Sequence, residues 1–180
     1  MISSERSQNI IVTVTIIAAL ASAVFLAGNV QYYGGSYALA GRLEVEVAST
    51  TVSNIDPSNS SVFPGIAFVF NMHSDVPAEG NVRLHFLGAS VSLNGDQLSY
   101  TSFRYDVPYD RQLLYPNYNE NFTLGRTTAS LDRDTVLLAN STGQWHWEIT
   151  FRYYFTTFDE ANSITWRYVF FNWTGATTIL

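Results

Sequence analysis

The chain has 180 residues, a formal net charge of −6 and a pI near 4.8, a balance that argues against an electrostatic grip on DNA, RNA or anionic lipid. It contains no cysteine, which excludes a disulfide scaffold, a thiol catalyst, a lipidated cysteine and cysteine-based zinc sites. All nine basic residues are Arg, a pattern read mainly as compositional habit and secondarily as a preference for forked anion contacts.

No charged side chain lies between Arg6 and Arg42, and Ile10 to Val30 is an apolar run. As a helix of about 20 residues it is long enough to cross the hydrocarbon core of a bilayer. A cleaved secretory signal competes with this reading, with Ala21-Ser22-Ala23 or Ala38-Leu39-Ala40 as small-residue sites. The first would leave Val24-Phe25-Leu26 at a mature terminus, and the second lies far beyond a normal apolar core. A pilin-type leader is the third reading, but the usual basic-plus-Gly pair is replaced by Arg6-Ser7. A retained anchor fits best, because Tyr32, Tyr33 and Tyr37 follow the run where amphipathic rings favour the headgroup zone.

The expected layout is a short cytoplasmic N-terminus over 1–9 and a transmembrane helix over 10–31. An interfacial linker over 32–42, loosened by Gly34-Gly35, would lead to an extracytoplasmic domain over 43–180. Positive-inside counting favours that orientation only slightly, since Arg6 stands against Glu5, and Arg42 against Glu44 and Glu46. Within the helix Ala19, Ala23 and Ala27 recur every four residues, a small-residue face that would admit another membrane helix. The plainer reading is that Ala is common in such helices.

From residue 43 strand patterns dominate. Leu43 to Val47 alternates, as does Val82 to Phe86, and Ile66 to Phe70 reads as a strand buried on both faces after Pro64. Val91-Ser92-Leu93, Asn94-Gly95 and Leu98-Ser99-Tyr100 form a hairpin signal, because Asn-Gly supplies the positive φ of a type I′ turn. Ser130 is expected to cap a short helical turn. Trp145, Trp147, Ile149, Phe151, Tyr153 and Phe155 share one strand face, and beyond Asp159–Ser163 the residues Ile164, Trp166, Tyr168 and Phe170 repeat the pattern. Six to eight such strands predict a mainly β chain holding one immunoglobulin-like antiparallel β-sandwich, with most of the aromatics on its inward face, behind one N-terminal transmembrane helix.

The Phe70-Asn71 strand end, LNGDQLSY, LYPNYNENFTL, the short helical turn and GQWHWEITFRYYF together resemble the late-embryogenesis-abundant group 2, or WHy-type, domain over residues 43–172. That family's Asn-Pro after the second strand stands here as Asn71-Met72-His73. The resemblance implies a binding or structural role, with no catalytic residues to carry over.

Chemistry-bearing patterns are sparse. Asn59, Asn121, Asn140 and Asn172 open glycosylation sequons, usable if exposed outside the membrane. His73, His85 and His146 lack ligand spacing, although His85 and His146 could meet across strands. Asp132-Arg133-Asp134 offers calcium only two carboxylates with a cation between them, and a helix N-terminus accounts for both. No nucleophile, phosphate-loop, dinucleotide or metalloprotease motif occurs, so neither an enzyme nor a cofactor is expected. Tyr105, Tyr109, Tyr115 and Tyr118, in a stretch with Pro108 and Pro116, have the composition of a protein- or sugar-binding surface; loop packing over a sandwich edge is the alternative.

The expected function is a non-enzymatic, single-pass accessory or structural subunit of a membrane or envelope complex. Its expected partners are membrane lipid and other integral membrane proteins, with no nucleic acid. The alternative is an envelope-binding module or filament component (of pilin or archaellum type) that contacts surface-layer protein or glycan.

Overall fold

Alternating side chains on successive strands build two sheets whose apolar faces meet. The computed structural model describes residues 2–99, 103–157 and 164–180. After helix α1 (Ile2–Gly41) come β1 (Glu44–Ser53), β2 (Gly65–His73), β3 (Val82–Leu93), β4 (Asp96–Gln97), β5 (Phe103–Asp106) and β6 (Asn119–Thr127). Helix α2 (Ser130–Thr142) then precedes β7 (Trp147–Thr157), β8 (Thr165–Trp173) and β9 (Thr177–Ile179). One sheet runs β6-β2-β1-β9 and the other β4-β3-β7-β8, with β5 also paired to β3. The chain is thus mainly β, an immunoglobulin-like sandwich behind one long apolar helix; pairing is antiparallel except that β9 joins β1 in parallel.

Aromatic side chains fill the space between the sheets. Phe68 of β2 meets Trp147 of β7 edge-on with centroids 5.1 Å apart, and Phe70 meets Phe151 at 4.4 Å. Of the face expected here, Trp147, Ile149, Phe151, Tyr153 and Phe155 are all buried on β7, while Trp145 precedes the strand and is half-buried. Burial of each large apolar side chain contributes about 1.5–3 kcal/mol, so this row alone is a major part of the core. Ile66, Phe68 and Phe70 are buried on β2, an inner strand, while the Ala67 and Val69 face is half-buried. Asn94 and Gly95 both have positive φ, 54° and 90°, as the hairpin turn requires. Tyr100 and the turn over 159–163 lie outside the described residues.

Four expectations are corrected. Ser130 is the first residue of α2, whose N-cap is Ala129 with no side-chain cap, and the helix runs for 13 residues rather than one short turn. Asp132 lies in the first turn of α2, but the helix end alone does not account for it: it is buried against Arg126 at 2.8 Å and accepts hydrogen bonds from the Ser99 N–H and hydroxyl. No flexible linker spans 32–42, because α1 continues through Gly34-Gly35 to Gly41. Finally, Ile164, Trp166, Tyr168 and Phe170 point outward, and β8 turns Val169, Phe171 and Trp173 toward the core.

Candidate functional site

The foot of α1 is built into the sandwich. Leu39 and Ser36 are fully buried, and Leu39 and Ala40 belong to the same apolar cluster as Val76 and Val82. Asn81 donates its N–H to Ser36 Oγ at 2.7 Å, and Ser36 donates its hydroxyl to the Tyr32 carbonyl at 3.0 Å. Two glycines permit this approach. A Cβ on Gly35 would overlap the Glu79 carbonyl oxygen, and one on Gly80 would lie 2.6 Å from the Ser36 nitrogen and Oγ. Gly35 thus serves as a packing surface and not as a hinge, while Gly34 beside it faces open space. Beside the joint a crevice of about 380 Å³ separates Gly28, Gln31 and Tyr32 of the helix from Pro77, Ala78 and Glu79 of the β2–β3 loop.

Among the described residues nothing packs on the apolar stretch of the helix above the joint. It is long and apolar enough to cross a membrane by length and composition, and its apolar window is unburied. Two of its polar side chains turn inward on its own backbone: Thr15 donates to the Ile11 carbonyl at 2.8 Å and Asn29 to the Phe25 carbonyl at 3.1 Å. Such local pairing suits a surrounding that offers no water. Ala19, Ala23 and Ala27 are exposed, as are Tyr32, Tyr33 and Tyr37.

The expected Tyr surface divides. Tyr109 is exposed beneath the Arg83 guanidinium at 5.0 Å, and Tyr115 is exposed with its hydroxyl donating to the Asn119 carbonyl at 3.1 Å. Tyr105 is half-buried against Phe122. Tyr118 is a core residue with 1% exposure, so it is removed from the contact surface. Burial, then the charge of Glu120, pushes its phenol well above the ordinary value, and burial pushes the Tyr153 phenol up likewise.

A larger exposed aromatic surface lies on the outer face of the second sheet, where sequence alternation placed core. Trp166, Tyr168 and Phe170 stand in a row on β8, 46%, 57% and 75% exposed. Trp166 lies 4.8 Å from Tyr154, which stacks on Phe86 at 5.9 Å, with Arg104 and Arg152 each 5.8 Å from the Phe86 ring. Phe170 borders a shallow groove of about 360 Å³ whose polar walls include Ser92, Gln97, Glu148 and Asn172. Among the described residues β8 ends its sheet, so its outer edge presents backbone groups that no described strand pairs, next to this row.

The sequons occupy different settings. Asn59 sits in the exposed β1–β2 loop and accepts from the Ser61 N–H at 3.0 Å. Asn121 is exposed on β6 and accepts from Asn71 at 2.9 Å, Asn140 is half-buried in the last turn of α2, and Asn172 is exposed on β8 beside the aromatic row. His85 and His146 do not meet, because β3 and β7 are antiparallel and the two residues lie at opposite ends of that pair. His85 is 2.8 Å from Thr156 Oγ1, His146 is 3.8 Å from Glu148, and His73 lies 3.5 Å from both Glu44 and Glu46. Among the described residues no group of three ligands could hold a metal ion. Asp132 is committed to Arg126, and the Asp134 side chain is 92% exposed and apart from it, so the pair frames no calcium loop.

No family model matches the chain, and no curated protein does. Among solved structures it is similar to a protein described as ApaA from Bordetella pertussis, at 12% identity and a TM-score of 0.42, covering 72% of this chain and 91% of that one. It is also similar to a protein from Archaeoglobus fulgidus, at 10% identity and a TM-score of 0.39, covering 73% of this chain and all of that one. Likeness this distant carries no functional conclusion.

Proposed function

We propose that the chain is a non-enzymatic, single-pass accessory subunit of a membrane or envelope complex, with its sandwich outside. The observation that carries this reading is the hinge-free joint at Gly35, Ser36 and Gly80. A helix fixed to its domain transmits orientation, so a partner that grips the helix through Ala19, Ala23 and Ala27 also sets where the sandwich faces. The outer row Trp166, Tyr168 and Phe170 is then the surface offered to the partner's extramembrane part, since exposed aromatics of that size are enriched at contact sites. The resemblance to WHy-type domains fits a binding role.

Extraction in a mild detergent followed by native mass measurement tests this. The expected species is a complex, and a lone 20.1 kDa chain contradicts it. A second reading, an envelope-binding module for glycan or surface-layer protein, is favoured by the groove at Phe170, where polar side chains flank an aromatic ring. Replacing residues 10–30 with an unrelated apolar segment separates the two. Loss of co-purifying membrane proteins supports the first, and undiminished envelope binding supports the second.

A further inference from the structure

We infer that the helix-proximal rim of the sandwich itself lies in the headgroup layer of the bilayer, so that the domain rides on the membrane and does not stand clear of it. The inference rests on the reading of α1 as a retained anchor. Ile10 to Val30 spans about 31 Å at 1.5 Å per residue, which fills a hydrocarbon core of about 30 Å. Ser36, where the sandwich grips the helix, is only about 9 Å further along, close to the outer limit of an interfacial layer about 5–8 Å deep. The β2–β3 loop reaches back further still, for Pro77, Ala78 and Glu79 face Gly28, Gln31 and Tyr32 across the crevice. With no hinge below, that loop has no freedom to withdraw.

The same end of the domain carries exposed residues suited to this zone. Leu114 donates its N–H to the Val82 carbonyl and Asn117 its N–H to the Val76 carbonyl, which sets the 113–117 segment beside the joint. Leu113 and Tyr115 on that segment are exposed, as are Tyr109 before it and Ile164 just ahead of β8. Amphipathic rings and aliphatic side chains partition into headgroups without needing anionic lipid. Charges of both signs accompany them, with Asp75 3.8 Å from Arg42 and Arg83 over Tyr109, and the exposed Glu44, Glu46 and Glu79 add acid that an anionic lipid surface would repel. A neutral, zwitterionic surface therefore suits this rim.

The absence of native cysteine allows single-site labelling of the full chain. Leu113→Cys, Ile164→Cys, Leu131→Cys and Val24→Cys, each carrying an environment-sensitive fluorophore, are reconstituted in phosphatidylcholine vesicles with nitroxide lipids labelled at the headgroup or mid-chain. All four positions are exposed, so the substitutions leave the core intact. The expected result is mid-chain quenching at position 24 and several-fold stronger headgroup quenching at 113 and 164 than at 131 on the far end. Quenching at 24 with positions 113 and 164 matching 131 overturns the inference and leaves the anchor standing. No quenching at 24 overturns the anchor reading and this inference with it.

Discussion

Ser36 and Asn81 join the helix to the sandwich across 45 positions of sequence, with the Asn81 N–H donated to Ser36 Oγ at 2.7 Å. Both groups lie where Gly35 and Gly80 bring two backbones together, so the bond is sheltered and its loss is not made good by water. The consequence is mechanical: helix and domain move together.

Ser36→Ala removes the acceptor and leaves the part-buried Asn81 N–H without its partner, which destabilises the docked helix by about 1–3 kcal/mol. Gly35→Val is worse, because its side chain must displace the Glu79 backbone. Tyr37→Ala, at an exposed position of the same turn, stays within about 0.5 kcal/mol. Thermal unfolding of the full chain in detergent gives the order, and an effect of Tyr37→Ala equal to that of Gly35→Val contradicts it.

Arg126 and Asp132 form a buried pair at 2.8 Å beneath Ser99. Replacing one partner leaves the other charge without compensation, so Asp132→Ala lowers stability by about 3–5 kcal/mol. Double replacement by apolar residues recovers much of that loss. Denaturant titration of the two variants decides it; equal losses would show that the pair does not act as a unit.

Tyr118 and Tyr153 hold their protons more tightly folded than unfolded. Their contribution is therefore complete below the ordinary tyrosine value of about 10 and is lost as pH rises toward the folded values, because the unfolded chain ionises first. Stability should fall above about pH 10, by up to about 1.4 kcal/mol per pH unit for each tyrosine. The Tyr118 hydroxyl is buried and has no hydrogen-bond partner among the described residues, so Tyr118→Phe costs little at neutral pH and makes the alkaline decline shallower. Unfolding followed by circular dichroism from pH 8 to 12 measures both effects.

The row on β8 is exposed and removable. Trp166→Ser, Tyr168→Ser and Phe170→Ser in one chain should keep the unfolding midpoint close to the parent's, since none of the three is a core residue. The same variant should lose partners that co-purify with the parent. A large drop in midpoint would instead place the row in the core, and unchanged co-purification would clear it of a contact role.

The two sheets were legible because a half-buried strand alternates apolar and polar residues, and β7 does so over its length. Along β8 the rule loses its power. Trp166, Tyr168 and Phe170 fall on one parity and Val169, Phe171 and Trp173 on the other, so hydrophobicity alone cannot say which faces inward. Gly34-Gly35 misled for a different reason: glycine signals freedom locally, and only the long-range approach of Glu79 shows that at Gly35 it supplies room. Arg126 and Asp132 lay on either side of a strand end, and nothing in their spacing foretold burial. Tyr118 had the composition of a loop surface but the register of a core residue.

All of this depends on α1 reaching the sandwich without a hinge. Spin labels on Tyr33→Cys and Ser90→Cys in one chain, both exposed positions, read that relationship directly as an electron–electron distance in reconstituted membranes. A single narrow distance distribution is expected, and Gly35→Val should broaden it. A broad distribution in the parent chain, unchanged by Gly35→Val, would contradict the account.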